Sequence, residues 1–291
     1  MTDMQPEVIQ EYGPGGLAFV RLRSRGGTAR VCLLGGTVTE YQPAGGEPVL
    51  WVSPNSRYAP AEAIRGGIPV CWPWFGQHPR HPEWPAHGFA RKQMWRVTDP
   101  GGVSPDGETA WVELGLDGGE GGFAGWDGHF RLRLRVSVGA ALDVALTTTN
   151  TGPHPFDLSA ALHTYFAVSD IAQVTVHHLE NTPFLSKAHH WERFVSSDPL
   201  RFTDRTDSVY LDTTAACEID DSGRGRRVNV AKSGSRTTVV WNPWEQLSAE
   251  MTDIGPGQYR HFVCVETVLG AQELFVLAPG QQHTLAAKIS A

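Results

Sequence analysis

The sequence predicts an all-β protein, built as a large antiparallel β-sandwich with few short helices. Along many short segments, apolar and polar residues alternate with period 2, as they do in strands that bury one face. Glycine, proline, asparagine and aspartate punctuate the gaps between these segments. Many short strands without a long amphipathic helix are typical of sandwiches and barrels.

The clearest alternation lies in HFRLRLRVSV, residues 129–138, where Phe130, Leu132 and Leu134 share one face. The pattern continues in ALDVALTTTN, residues 141–150, so Gly139 and Ala140 predict a hairpin turn. The nearest candidate for a helix is EQLSAEM, residues 245–251. The predicted strands lie, in chain order, within 17–24, 29–36, 49–53, 110–116, 129–138, 141–150, 158–170, 174–179, 236–241, 261–268 and 283–289.

Composition excludes several classes of function. The chain has 291 residues, a formal net charge of −7 and 19% charged residues, so no general basic field is available for nucleic acid or a membrane surface. The N-terminus has no signal-peptide pattern, and no apolar run approaches the roughly 20 residues of a membrane span. The four cysteines show no CxxC spacing. We expect a single domain over residues 1–291, cytoplasmic and monomeric.

The common catalytic motifs are absent from the sequence. It contains no GxSxG, no HExxH, no P-loop and no GxGxxG that opens a helix. The histidines His78, His81 and His87 invite a metal interpretation, but prolines between them keep the backbone extended and no further ligand pattern follows. We therefore expect no metal and no other cofactor.

Two strand segments each carry one ionisable residue among apolar neighbours. In LSAALHTYFAVSD, alternation places His163 on one face with Ala161 and Tyr165. In HFVCVETV, it places Glu266 on one face with Cys264. A charge in such surroundings needs a partner. His163 is either a hydrogen-bonded core histidine or a catalytic group, and Glu266 either forms a structural ion pair or has a perturbed pKa.

Two arginines lie in rigid, aromatic loop segments. Arg65 belongs to AIRGGIPVCWPWFG, residues 63–76, and Arg91 to PAHGFAR, residues 85–91. A guanidinium fork matches the oxygens of a phosphate, whereas the alternative for each arginine is an ordinary salt bridge. Four tryptophans could stack on a sugar or pack in the core. Trp72 and Trp74 lie within residues 63–76, and Trp241 and Trp244 lie within residues 241–244.

Six segments, in their order along the chain, resemble the motifs of one protein family. They are AIRGGIPVCWPWFG, PAHGFAR, LHTYF, TDSVY, WNPW and VCVE, and they span roughly residues 65–266. The set resembles the hexose-6-phosphate mutarotases, or glucose-6-phosphate 1-epimerases, of the aldose 1-epimerase superfamily. The resemblance implies a galactose mutarotase-like β-sandwich and an isomerase that interconverts the anomers of a hexose 6-phosphate without a cofactor.

The resemblance also implies roles for individual residues. His163 corresponds to the general acid and Glu266 to the general base. Arg65 and Arg91 are implied to hold the phosphate and the sugar, Asp207 to contact sugar hydroxyls, and His87 to contact the substrate. Ala86 is a departure, since some members have glutamine at this position.

Other functions remain open on the sequence. A mutarotase for unphosphorylated sugars would not need the arginines, and a non-catalytic module would bind sugar phosphates without anomer exchange. A glycosidase needs two carboxylates across the scissile bond, and Asp207 is the matched companion of Glu266. Because a neighbouring carboxylate favours the charged form of a histidine, we expect His163 to be protonated.

Overall fold

The computed structural model describes residues 5–119, 123, 125–271 and 274–291. Within these ranges strands dominate, with one α-helix at Trp244–Glu250 (α1) and 3₁₀ turns at Pro14–Gly16, Ala90–Lys92, Ile171–Gln173, Lys187–His189 and Gln258–His261. The strands are Glu7–Tyr12 (β1), Ala18–Arg23 (β2), Gly27–Cys32 (β3), Thr37–Pro43 (β4), Val70–Cys71 (β5), Arg96–Val103 (β6), Ala110–Gly118 (β7), Phe130–Val138 (β8), Leu142–Asn150 (β9), Phe156–Leu158 (β10), Ala160–Leu162 (β11), Tyr165–Ala167 (β12), Val174–His177 (β13), Phe184–Ser186 (β14), Glu192–Phe194 (β15), Leu200–Arg201 (β16), Thr206–Tyr210 (β17), Cys217–Asp221 (β18), Arg226–Ser233 (β19), Thr237–Asn242 (β20), Phe262–Leu269 (β21), Phe275–Leu277 (β22) and Gln282–Ser290 (β23).

These strands form two large antiparallel sheets and two small ones. The nine-stranded sheet has the order β16-β13-β18-β19-β23-β9-β8-β7-β6. The eight-stranded sheet has the order β15-β14-β17-β20-β21-β11-β5, with β12 also paired to β21. Strands β1 to β4 form a separate sheet, and β10 pairs with β22. The strand ladders within these sheets are antiparallel, which confirms the predicted fold class.

The main core joins the two large sheets. Alternate residues of β8 and β9, such as Leu134 and Leu146, belong to the same buried cluster as Leu162, Val240 and Val265 of the eight-stranded sheet. The opposite side chains of the eight-stranded sheet point away from this core. The sandwich therefore leaves one face of the eight-stranded sheet for smaller clusters and for polar groups.

Most of the predicted strands are present, and the hairpin turn at 139–140 joins β8 to β9 as expected. Segment 49–53 is not a strand, since only Leu50 and Val52 make isolated bridges. Segment 158–170 is divided, because β11 ends at Leu162 and β12 starts at Tyr165. The alternation failed to indicate the strands between 184 and 233, where short strands such as β14 to β16 carry few fully buried residues.

In the described ranges of the chain, no helix has the length and apolarity needed to cross a bilayer.

Candidate functional site

His163 lies in the break between β11 and β12, opposite Glu266 of β21. Leu162 pairs with Thr267 and Tyr165 pairs with Cys264 with the same register on either side of the break, so the position of His163 falls opposite Glu266. His163 Nε2 lies 3.4 Å from Glu266 Oε1, and their side chains are 9% and 1% exposed. This separation exceeds that of a charge-assisted hydrogen bond, so the two groups are close without being locked together.

Both side chains retain unused hydrogen-bonding capacity. Within the described ranges, His163 Nδ1 and Glu266 Oε2 are buried and have no hydrogen-bond partner. Leaving such atoms unpaired is costly in a folded protein, and buried polar groups without partners are uncommon. Both residues line a cleft of about 360 Å³, where a ligand could supply the missing partners.

The surroundings shift the pKa of each group in the direction that favours its neutral form. Burial, and then the positive charges of Arg65 and Arg91, lower the pKa of His163 well below its ordinary value. Burial raises the pKa of Glu266 well above its ordinary value, although Lys187 opposes this. The pKa of His163 is thus shifted in the direction opposite to the expectation that the neighbouring carboxylate keeps it protonated, because burial and the two arginines oppose the charged imidazole.

Arg65 lines the cleft and is firmly held. Its Nε donates to Asp253 Oδ2 at 2.8 Å, its Nη2 lies 2.6 Å from the same oxygen, and its Nη1 donates to the Tyr165 hydroxyl at 2.9 Å. Although burial opposes it, Tyr165 and Asp253 raise the pKa of Arg65, so the guanidinium stays charged. The salt-bridge alternative thus applies to Arg65, which also faces the cleft.

Arg91 is less constrained than Arg65. Its Nη2 donates to the backbone carbonyl of Ala86 at 2.8 Å, and its buried Nε has no partner among the described residues. Those residues also provide no carboxylate within salt-bridge distance of its guanidinium. Ala86 therefore orients Arg91 through its backbone carbonyl, and the cation remains available to a ligand.

His87 lies beside His163 in a defined tautomer. Its ring centroid is 5.6 Å from that of His163, and its Nδ1 accepts a hydrogen bond from the Gly76 amide at 3.3 Å. Burial, followed by Arg91 and His163, lowers the pKa of His87 well below its ordinary value. The ring is therefore neutral with its proton on Nε2, which can donate to a sugar oxygen.

Asp207 lines the same cleft with two cations that the sequence did not indicate. Lys187 Nζ lies 3.6 Å from Asp207 Oδ1. Arg205, two residues earlier on the chain, also lines the cleft. Burial raises the pKa of Asp207, while Lys187 and Arg205 oppose the shift. The i, i+2 spacing of Arg205 and Asp207 could have suggested a shared face, but no pattern pointed to Lys187.

The tryptophans divide between core and cleft. Trp72 and Trp74 are buried in the main core, so packing explains them. Trp244 stacks near Tyr259 and is not among the lining residues, whereas Trp241 lines the cleft beside His163. One of the four candidates is thus placed where a sugar could contact it.

The two glycines after Arg65 serve close packing of the backbone. Gly66 and Gly67 adopt φ values of 114° and 67°. A Cβ at Gly66 would lie 2.5 Å from the Trp51 carbonyl oxygen, and one at Gly67 would lie 2.1 Å from that of Val38. Only glycine lets this loop approach its neighbours so closely, and the approach holds Arg65 at the cleft.

Two groups of side chains have metal-binding donors. His163, Cys264 and Glu266 bring their ligand atoms within 4.8 Å of one another. Burial raises the pKa of the Cys264 thiol well above its ordinary value, which disfavours the thiolate that a metal needs. The other group is the histidine cluster His78, His81 and His87, which is divided: the ring centroids of His78 and His81 lie 5.1 Å apart, whereas His87 belongs to the cleft with His163. Acid–base chemistry at His163 and Glu266 requires neither group to hold a metal.

A second cleft is lined by residues of the segment between Pro73 and Trp84, among them Trp74, His81 and Trp84, and measures about 420 Å³. It is larger than the cleft described above, but His163 and Glu266 do not line it. We therefore place the candidate site in the cleft that contains His163 and Glu266.

Comparison with known proteins agrees with the sequence resemblance. The sequence model of the family described as aldose 1-epimerase matches residues 19–290. A protein from Cenchrus ciliaris, provisionally named glucose-6-phosphate 1-epimerase, is 37% identical over 278 residues, which cover 92% of this chain and 83% of that protein. An Escherichia coli K12 protein with the same provisional name is 36% identical over 245 residues, covering 84% and 80%.

A solved structure extends the similarity to the fold. The Salmonella typhimurium protein YeaD, provisionally described as a mutarotase, superposes with a TM-score of 0.89 at 31% identity. The match covers 100% of this chain and 95% of that one. The β-sandwich described above is therefore shared along the whole of the chain.

Proposed function

This chain belongs to the aldose 1-epimerase family, and on that premise we propose that it interconverts the α and β anomers of hexose 6-phosphates. Family membership identifies an epimerase that acts on a sugar. The names of the relatives support a phosphorylated hexose as the substrate. The observation that carries the proposal is the opposed pair of His163 and Glu266 in a cleft with excess positive charge.

The chemistry requires one acid and one base at a single centre. A cyclic aldose is a hemiacetal, so the C1 hydroxyl must lose a proton while the ring oxygen gains one. The ring opens, the C1–C2 bond rotates, and the ring closes on the other face of C1. A positioned proton transfer contributes about 10² to 10⁴ in rate. On closure the two groups exchange roles, so the pair is regenerated without a cofactor.

Glu266 as carboxylate accepts the C1 proton, and His163 as imidazolium protonates the ring oxygen. Burial, followed by the charges of Arg65 and Arg91, opposes the imidazolium, and burial also opposes the carboxylate. A bound phosphate dianion offsets the charges of the arginines, so substrate binding favours the imidazolium that protonates the ring oxygen.

The charges of the cleft suit a dianion. Among the lining residues, four are cationic and two are carboxylic; the cations are Arg65, Arg91, Lys187 and Arg205, and the carboxyls are Asp207 and Glu266. Asp253 is paired with Arg65, so the cations exceed the carboxylates by one when all three carboxyls are ionised. Asp207 is the acidic residue available for sugar hydroxyls, and His87 offers an N–H donor. An unphosphorylated hexose would leave the excess positive charge without a partner.

Saturation-transfer NMR tests the proposal. We expect the protein to accelerate anomer exchange of glucose 6-phosphate far more than that of glucose or galactose. Equal acceleration of the free sugars would assign the chain to unphosphorylated substrates. Binding of glucose 6-phosphate with exchange at the buffer rate would instead identify a non-catalytic sugar-phosphate module.

A further inference from the structure

Lys187 is a cation of the cleft to which neither the sequence motifs nor the acid–base chemistry assigns a role. It follows β14 directly and opens the 3₁₀ turn Lys187–His189. Strand β14 pairs Leu185 with Val209 and Ser186 with Ser208, so the next position along this register brings Lys187 opposite Asp207. The strand ladder therefore directs Lys187 to the edge of the cleft nearest Asp207.

Two aromatic rings and one carboxylate surround the Lys187 ammonium. Nζ lies 5.3 Å from the centre of the Phe75 ring and 5.2 Å from that of Trp191, both within cation–π range. Asp207 Oδ1 lies 3.6 Å away, which is an ion-pair distance and too long for a hydrogen bond. The side chain is 23% exposed, so water covers only part of it.

The donors of Lys187 differ from those of the arginines. Arg65 is engaged by Asp253 and Tyr165, and Arg91 donates to the Ala86 carbonyl. Over the described ranges, Lys187 Nζ makes no hydrogen bond within 3.5 Å. An ammonium has three donors, and a partly desolvated one is stabilised when an acceptor binds. The geometry thus leaves Lys187 ready to donate to a ligand oxygen.

We propose that Lys187 is a specificity-determining residue that donates to the phosphate oxygens of the substrate, between the rings of Phe75 and Trp191. This inference rests on the proposed function. Phosphate binding replaces the weak ion pair with Asp207 by direct charge-assisted hydrogen bonds, which are the stronger interaction. Asp207 is then released toward the sugar hydroxyls. The residue selects phosphorylated sugars without taking part in proton transfer.

The test compares Lys187→Met and Lys187→Arg with the unmodified protein. Methionine keeps an unbranched side chain between the two rings and removes the charge, whereas arginine keeps the charge. Lys288→Met is the matched control, because Lys288 lies on β23 outside the cleft, 63% exposed and 4.0 Å from Asp143. Thermal unfolding of each variant checks that the fold is retained.

For Lys187→Met we expect KM for glucose 6-phosphate to rise about 10- to 100-fold, since hydrogen bonds to charged groups contribute about 1.5–3 kcal/mol. The kcat should change less than KM, Lys187→Arg should retain most of the affinity, and Lys288→Met should match the unmodified protein. Titration with inorganic phosphate, followed by ³¹P NMR, should show weaker binding to Lys187→Met alone.

Other outcomes overturn the inference. A fall in kcat with unchanged KM and unchanged phosphate binding would mean that Lys187 acts on Glu266 rather than on the substrate anion. No change in any measurement would leave Lys187 as the structural partner of Asp207. Failure of the proposed function is recognised separately, because the unmodified protein would then leave exchange of glucose 6-phosphate at the buffer rate.

Discussion

Alternate residues of the same strands form the two faces of the eight-stranded sheet, but the faces differ in chemistry. On the inner face, Val263 and Val265 of β21 pack in the main core with Leu162. On the outer face, Glu266 of the same strand meets His163 in the cleft. Both sets are buried, so burial alone does not separate structural residues from candidate catalytic ones.

The difference shows how a sheet can hold reactive groups in place. The inner face supplies apolar burial, at about 25 cal/mol per Å² of area removed from water. The outer face holds unpaired polar atoms, which oppose folding and are available to a ligand. Because neighbouring residues share one backbone, the packing of Leu162 also positions His163. Four predictions address this division, beginning with the largest expected effect.

Glu266→Gln should lower the rate of anomer exchange by about 10² to 10⁴, because the amide cannot accept the C1 proton. The fold should be retained, since glutamine has nearly the same shape and avoids a buried charge. The rate is measured by saturation-transfer NMR on glucose 6-phosphate, with Glu245→Gln on the exposed side of α1 as control. If Glu266→Gln instead unfolds the protein, the structural ion-pair interpretation is correct.

Leu162→Ala and His163→Ala lie at adjacent positions on opposite faces of the sheet, and their effects on stability and activity should differ. Leu162→Ala removes a fully buried core side chain and should lower the free energy of unfolding by about 2–5 kcal/mol, with a smaller loss of activity per folded molecule than His163→Ala causes. His163→Ala should abolish exchange with a smaller loss of stability. Urea unfolding and exchange rates measure both. Equal loss of stability for the two variants would contradict the division.

Stability should depend on pH through Glu266 with a defined sign. Burial raises the pKa of Glu266 above its ordinary 4.5, so its favourable contribution is present below that pH and is lost as pH rises through the folded pKa. Relative to Glu266→Gln, the unmodified protein should therefore become less stable above pH 4.5, by at most about 1.4 kcal/mol per pH unit. Urea unfolding from pH 4 to 8 measures the difference; a constant difference would contradict the raised pKa.

The smallest effect is expected for Arg91→Met, outside the strand ladder. It should raise KM for glucose 6-phosphate about tenfold with little change in kcat, because the cation contacts the anion rather than the reacting atoms. It should also raise the pKa of His163, since Arg91 contributes to its lowering. Kinetics and ¹⁵N NMR of the imidazole test both, and an unchanged KM would exclude Arg91 from phosphate binding.

Sequence patterns predicted the faces of the key strands but not how the strands pair. Alternation placed His163 on one face with Ala161 and Glu266 on one face with Cys264, and Ala161 and Cys264 lie in buried clusters separate from the main core. The two segments are about a hundred residues apart along the chain, and nothing in the alternation indicated that they are neighbours in the sheet. The resemblance supplied that link, because it named His163 and Glu266 as partners in one reaction.

The charges of the cleft were the least predictable feature. The expected protonation of His163 considered only the neighbouring carboxylate, whereas burial and two arginines act in the opposite direction. Lys187 was missed because the strand directly before it, β14, has only three residues, which is too short for a period to be recognised. Its position depends on the pairing of β14 with β17, which no local pattern encodes.

The direct opposition of residues 163 and 266 has a consequence for how the chain tolerates changes of length. Inserting or deleting one residue in β21 ahead of position 266 would turn that carboxylate to the opposite face of the sheet. Arg91 and Lys187 lie in 3₁₀ turns beyond the strand ends, where a gain or loss of residues leaves the ladder intact. Changes of length in these turns would therefore alter which sugar is bound and leave the opposition of residues 163 and 266 intact.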